Sequence, residues 1–208
     1  MKLKVIDNFL EEIDLNVINS INLKKISENE IKVYQNRIYK NGKTKLDCFN
    51  ENFIKEIHSK YHKKALNILK ELSPNKIPLY DYSEFHIIET GSKSKFPIHD
   101  DTPDKLLSGV VYLKPTINNG TTFYDTKNGK GKRTVDWKVN RAVFFSRIER
   151  KTWHSYAGDE RNNRIVLVYN LMTKNIKEVY KAENKNFLLG FIRFKLNPLL
   201  YRFFKITL

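Results

Sequence analysis

Between residues 79 and 173 the chain is a succession of short apolar runs cut by turn residues, and no other feature restricts its fold as much. Runs near 82–89 (YSEFHIIE), 96–100 (FPIHD), 107–114 (LSGVVYLK), 121–124 (TTFY), 133–137 (RTVDW), 141–146 (RAVFFS), 152–156 (TWHSY) and 163–172 (NRIVLVYNLM) read as strands. Asn119-Gly120 and Asn128-Gly129 punctuate them. The runs are rich in the β-branched and aromatic side chains that fit a pleated, half-buried surface. About eight such strands at close spacing predict an antiparallel sandwich or barrel, in which two sheets each bury one face.

The flanks differ in texture. Residues 9–20 and 51–72 carry apolar residues at helical spacing; in the second, Phe53, Ile57, Tyr61, Ala65, Leu66 and Leu69 form one stripe. Between them, IKVYQNRIY and KTKLDC flank Asn41-Gly42, a two-residue hairpin signal, and Ser73-Pro74 closes the long helix. After Thr173 the chain turns Lys-rich and then aromatic, and Asn197-Pro198 is expected to divide this stretch into two short amphipathic helices. A length of 208 residues suits one domain with an appendage.

The charge is unusual and unevenly placed. The formal net charge is +15, but residues 1–104 hold 17 basic and 16 acidic side chains, whereas 105–208 hold 21 and 7. Clustered basic charge raises the local concentration of anions and favours an anionic acceptor or an anionic surface. The only cysteine, Cys48, excludes an intrachain disulfide and any all-thiolate zinc or iron–sulfur site. The start, MKLKVID, shows no signal-peptide pattern, and no apolar stretch approaches the roughly 20 residues of a bilayer span, so the expected compartment is the cytoplasm.

Two histidines sit in strand contexts beside other polar residues. In FPIHDD, His99 and Asp101 are two apart, so on an extended strand both leave the same face while Asp100 leaves the other. A His-x-Asp arises often by chance. His154, 55 residues later in KTWHSY, supplies a third ligand from a distant strand. Two His and one carboxylate match the facial triad that leaves coordination positions open at a non-haem Fe(II) centre, whereas a structural zinc site would want four closed ligands. Arg164 opens the apolar strand RIVLVYNL, where its burial is costly unless a carboxylate meets its fork.

With these residues in order, the chain resembles the 2-oxoglutarate and Fe(II)-dependent oxygenases, in their prolyl-4-hydroxylase-like branch. The resemblance covers roughly residues 80–172 and rests on HDD, SGVVYLK, NGTTFYD, NRAVFFSRIERKTWHSY and RNNRIVLVYNL in that order. It implies a double-stranded β-helix, a jelly-roll core over 79–173 supported by 1–78 in one oxygenase domain, with 174–208 as a basic, aromatic helical tail. It also implies His99, Asp101 and His154 as iron ligands, with no catalytic residue beyond the metal centre. Arg164 and Tyr112 would then hold the distal carboxylate of 2-oxoglutarate, and dioxygen would be the second cosubstrate, with ascorbate as an auxiliary reductant. The chain departs from the usual pattern at Glu89, where many members have a tyrosine, and at Asn119-Gly120-Thr121-Thr122, where Gly-Gly-Glu is usual.

The acceptor implied is a small molecule or a protein; the WHSY and VYNLM endings resemble bacterial members that modify polysaccharide precursors. Candidate substrate contacts are His86, Glu89 and Asn170, the last on the Arg164 face of its strand. The tail is expected to dock on the domain, on a second copy in a homodimer, or peripherally on a membrane surface. The competing reading is a basic jelly-roll module that binds nucleic acid without catalysis, which leaves the His, Asp, His and Arg order unexplained.

Overall fold

The structure, a computed structural model, describes residues 1–204. Its elements are β1 (Lys4–Ile6), α1 (Glu12–Ser20), β2 (Ile31–Tyr34), β3 (Asn36–Tyr39), β4 (Thr44–Leu46) and α2 (Glu51–Leu72), then a 3-10 turn over Pro74–Leu79. Next come β5 (Tyr82–Thr90), β6 (Lys95–His99), β7 (Lys105–Lys114), β8 (Thr121–Tyr124), β9 (Arg133–Val135), β10 (Ala142–Phe145), β11 (Trp153–Ala157) and β12 (Arg164–Met172), followed by α3 (Ile176–Ala182) and α4 (Phe187–Phe204).

The eight strands expected between 79 and 173 all form, and they divide between two antiparallel sheets. The larger runs β1-β10-β7-β12-β5-β3-β4, with β2 also paired to β5; the smaller runs β6-β11-β8-β9. This is the jelly-roll arrangement, mainly antiparallel β with flanking helices. The larger sheet is buried on both faces because helices cover its outside. Phe85, Ile87, Leu107, Val111, Leu167, Tyr169 and Leu171 face outward into a core with Ile54, Ile57, Tyr61, Ala65, Ile68 and Leu69 of α2. Inside the barrel a smaller cluster of Tyr112, Phe123, Val143, Phe145 and Val166 separates the sheets.

α2 starts and stops where its signals lie. The Asn50 side chain accepts from Phe53 N, satisfying one of the free N–H groups of the first turn, and Ser73 N bonds to Leu69 O at the other end. The buried stripe is rotated slightly from the expected one: Ile54 and Ile68 are buried, while Phe53 and Leu66 are half-buried. At Asn41-Gly42 the hairpin forms, with Gly42 at φ +77°, a left-handed conformation that glycine adopts without a Cβ penalty.

Two elements differ from expectation. β1 pairs with β10 over three residues, too few for any pattern to show. α4 runs unbroken through residue 198, where Pro198 was expected to separate two helices with Asn197 as cap. A proline forfeits one backbone bond, but its ring fixes φ near the helical value, so flanking turns that are held elsewhere can carry the helix across. α4 is held by its contacts with the domain: Arg193 Nη1 bonds to Glu149 Oε1 at 2.7 Å, and Phe187 packs edge-on against Tyr180 of α3.

Candidate metal centre and cosubstrate cavity

His99 ends β6 and His154 lies in β11, and the two are direct partners across the antiparallel pair. Their ring centroids are 4.3 Å apart. Each Nδ1 lies against a backbone carbonyl, His99 on Pro97 O at 2.8 Å and His154 on Thr152 O at 3.0 Å. A carbonyl only accepts, so each Nδ1 carries the proton and each Nε2 is left with a free lone pair, the tautomer a metal requires.

Asp101 follows two residues after His99, and one ligand atom from each of the three side chains falls within 4.8 Å of the others. The buried Asp101 carboxylate is already oriented: Oδ1 accepts from Lys105 Nζ at 2.6 Å and Oδ2 from Ser108 Oγ at 2.5 Å. Burial alone would raise its carboxyl, but Lys105 and the two imidazoles outweigh this and hold it well below the usual range. Burial beside Phe145 and Phe123 pushes His154 down to about 4, against the pull of Asp101, so it is unprotonated at neutral pH. A metal ligand must be deprotonated, and both groups are. Asp100 turns the other way and accepts from Arg150 N at 2.7 Å.

The three side chains open onto a cavity of about 380 Å³ between the sheets. Arg164 lines its deep end, only 5% exposed. Its guanidinium is stacked over the Tyr156 ring at 3.6 Å, with the rings of Tyr112 and Trp137 at 5.7 and 5.6 Å. Nε and Nη1 nevertheless have no hydrogen-bond partner among the described residues. Aromatic faces satisfy a guanidinium above and below its plane; the in-plane donors still call for a planar anion, and a carboxylate of 2-oxoglutarate fits that demand. Burial lowers the basicity of Arg164, yet an arginine stays charged.

Tyr112 is placed differently from expectation. Its hydroxyl accepts from Thr121 N at 2.8 Å and donates to Thr121 Oγ1 at 3.0 Å, while its ring stacks on Trp137 at 4.5 Å. Thr121 and Tyr156 line the cavity beside Arg164, and Tyr112 supports them from behind. Glu89 also lies off the cavity. The side chains of β5 alternate, so 84, 86, 88 and 90 face inward and Glu89 faces the other way. There burial and the nearby Glu30 raise its carboxyl, against the pull of Asn163. His86 and Asn170 do line the cavity, as do Arg37, Glu84, Lys105 and Ser108, which the sequence reading passed over. The alternation of β5 could have pointed to Glu84. Lys105, by contrast, reads as an ordinary solvated charge before a strand.

A second cavity of about 400 Å³ shares His99, Asp101 and Thr102 with the first and is walled by Arg147, Arg150 and Trp153, by Asp100 and Glu149, and, from α4, by Arg193 and Phe194; Arg147 and Arg193 are paired with Glu183 and Glu149.

No family model and no curated protein sequence matches the chain. Solved structures do. A prolyl-4-hydroxylase from Pseudomonas putida superposes with a TM-score of 0.57 at 13% identity, over 83% of this chain and 92% of that one. A 2-oxoglutarate–Fe(II) oxygenase-family oxidoreductase from Burkholderia pseudomallei gives 0.57 at 12%, over 82% and 84%. A Trichoplax adhaerens prolyl hydroxylase, in complex with a hypoxia-inducible-factor peptide fragment, gives 0.54 at 16%, over 85% and 86%. The chain has the fold of the prolyl-hydroxylase-type 2-oxoglutarate oxygenases. At these identities the likeness concerns the fold, and the chemistry must be argued from the site.

Proposed function

We propose that the chain is a 2-oxoglutarate- and Fe(II)-dependent dioxygenase that hydroxylates a small-molecule or protein acceptor. The observation that carries this is the conjunction, in one cavity, of three converging ligands with a buried arginine whose in-plane donors are unmet. Iron, 2-oxoglutarate and dioxygen would supply the oxidising chemistry, converting 2-oxoglutarate to succinate and carbon dioxide while a C–H bond of the acceptor is hydroxylated. Ascorbate is proposed only as a reductant that keeps the iron in its working state.

The side chains have separate tasks. His99 and His154 offer Nε2 and Asp101 one oxygen, and the carbonyls of Pro97 and Thr152 fix the two rings. Lys105 and Ser108 hold the deprotonated Asp101 carboxylate in place. Arg164 takes the distal carboxylate of 2-oxoglutarate, with Tyr156 fixing the guanidinium plane and Thr121 beside it. Phe96, Phe145, Ile88, Val166 and Val168 give the cavity apolar walls that exclude water around the reacting groups. A nucleic-acid-binding module without catalysis would leave all of this unused.

The basic second half supports an acceptor with an anionic portion, a polysaccharide precursor among the candidates. The tail docks on the domain by one face, while Leu188, Leu189, Ile192, Leu196, Leu199 and Phe203 leave an exposed apolar stripe on α4. Residues 174–208 carry eight basic and two acidic side chains. We assign this stripe to an anionic membrane surface, reached from the cytoplasm, in preference to a homodimer contact. Among the described residues no helix is long and apolar enough to cross a membrane.

The test of the activity is spectroscopic. Anaerobic addition of Fe(II) and 2-oxoglutarate to the full chain is expected to give a visible charge-transfer band that His154→Ala abolishes. Arg164→Met should keep Fe(II) binding and weaken 2-oxoglutarate by about tenfold or more, since charge-assisted hydrogen bonds contribute about 1.5–3 kcal/mol. An unaltered 2-oxoglutarate affinity in Arg164→Met would remove the cosubstrate assignment.

A further inference from the structure

The end of the cavity away from Arg164 is lined by Arg37, Glu84, His86, Asp104 and Asn170, none of which has a task in the reaction above. β12 sets the geometry: residues 164, 166, 168, 170 and 172 face inward, with Arg164 paired to Thr90 at one end and Asn170 paired to Glu84 toward the other. The triad lies over this second region, because Asp101 is held by Lys105 and Ser108 at the start of β7.

Glu84, 3% exposed, organises the group. Its Oε1 lies 3.0 Å from Arg37 Nε, and its Oε2 accepts from Asn170 Nδ2 at 3.1 Å and lies 3.3 Å from His86 Nε2. The backbone N–H of Asn36 donates to His86 Nδ1 at 3.1 Å, so the ring proton sits on Nε2, facing Glu84. Every partner of Glu84 is therefore a donor. This removes the freedom of Asn170 to flip, because turning its amide oxygen toward the carboxylate would set two acceptors face to face. Asn170 Oδ1 is consequently aimed away from Glu84, on a residue that is 1% exposed, and has no hydrogen-bond partner among the described residues. Asp104 Oδ1, at the same end, is likewise buried without a partner.

Asn170 Oδ1, kept an acceptor by the Glu84 network, and Asp104 Oδ1, a carboxylate oxygen, are two buried acceptors without donors, and they define the polarity of what belongs beside them; the one buried donor there without a hydrogen bond, Arg37 Nε, faces Glu84 Oε1 at 3.0 Å. We propose that this end of the cavity binds the acceptor molecule through an N–H or O–H group, an ammonium, amide or hydroxyl, accepted by Asn170 Oδ1 and Asp104. It rests on the oxygenase reading and deepens it by naming the group that sits next to the reacting carbon. A carboxylate or phosphate at this point would meet two acceptors, so any anionic portion of the acceptor lies elsewhere. Arg37 and His86 are positioning residues, acting on Asn170 through Glu84.

The test measures succinate release by the full chain with Fe(II) and 2-oxoglutarate, alone and with a matched panel of amino-acid-sized compounds. Their free ends are ammonium, amide, hydroxyl, carboxylate or phosphate on a common carbon skeleton. The 2-oxoglutarate band is titrated anaerobically in the same samples. Donor-ended members are expected to raise succinate release above the uncoupled background, and carboxylate- and phosphate-ended members are not. Asn170→Leu should raise the KM for the stimulating compound about tenfold, the scale of one lost hydrogen bond, and leave 2-oxoglutarate binding unchanged. Asp104→Asn, which keeps the shape, should raise it for the ammonium compound more than for the hydroxyl one. The proposal is overturned by stimulation from anion-ended compounds, by a panel in which no donor-ended compound stimulates, or by an unchanged KM in Asn170→Leu. Absence of the 2-oxoglutarate band in the unmodified chain would instead overturn the oxygenase reading on which it rests, so the two failures are told apart.

Discussion

Asp101 and Asp100 are neighbours with opposite commitments. The first accepts from Lys105 and Ser108 and shares a space with two imidazoles; the second accepts from the Arg150 backbone outside that space. Asp101→Ala should therefore abolish Fe(II) binding and succinate formation, and Asp100→Ala should leave Fe(II) affinity within a fewfold, both read by metal titration and by succinate assay. The reverse pattern would refute the ligand assignment. The pair was separable in the sequence because side chains two apart share one face of a strand, and the same alternation put Asn170 on the face of Arg164. What alternation cannot supply is a side chain's partner. Tyr112 is on an inward face as expected, but Thr121, from a different strand of the other sheet, captures its hydroxyl. Glu89 marks the opposite case: its place where many members of the family have a tyrosine suggested a substrate contact, and the parity of β5 turns it away.

At the scale of elements, legibility followed how local the determinants are. α2 is bounded by Asn50 and Ser73, both within its own sequence, and its span was readable to the residue. β1 depends wholly on β10, more than 130 residues away, and had no local mark. α4 was misjudged at Pro198 because its continuity comes from packing on α3 and the Glu149 segment, not from propensity. That packing uses one face: Gly190 lies so close to Tyr180 that a Cβ there would come within 2.1 Å of the ring. The other face carries Ile192 and Leu196, each more than 40% exposed. If that face rests on an anionic membrane, the full chain should sediment with phosphatidylglycerol-containing vesicles and not with purely zwitterionic ones. Ile192→Asp with Leu196→Asp should abolish this while leaving the thermal midpoint within a few degrees. Vesicle-independent dimerisation lost in the same double variant would assign the face to a second copy instead.

At the scale of the molecule, the charge asymmetry of the sequence proves not to describe the site. The first cavity brings Arg37, Lys105 and Arg164 together with Glu84, Asp101 and Asp104, three charges of each sign, so the basic surplus lies outside it, part of it in the tail. Three histidines, His58, His62 and His154, couple the stability of the fold to pH. His58 and His154 are pushed down to about 4, each chiefly by burial, and His62 is lowered by burial and by Lys40. His58 and His62 of α2 stack at 4.4 Å against Tyr80, and no carboxylate among the described residues pairs with either ring. In the unfolded chain each takes up a proton as pH falls through about 6.5. In the folded chain His58 and His154 do so only near 4, so between these values the unfolded state binds more protons and stability falls as the solution is acidified. Asp101 acts in the same direction at lower pH. Its depressed carboxyl contributes stability that is full above the unfolded value and is lost as pH falls toward the folded one. Urea unfolding of the metal-free chain should thus show a midpoint that is flat above pH 7 and declines from pH 6.5 to 4, with a limiting slope of about 1.4 kcal/mol per pH unit for each such histidine. His58→Phe, which keeps a flat ring without a titrating nitrogen, should reduce that slope by roughly one histidine's share. A midpoint independent of pH over this window, or a slope unaltered in His58→Phe, would mean that these rings take their protons in the folded chain as readily as in the unfolded one.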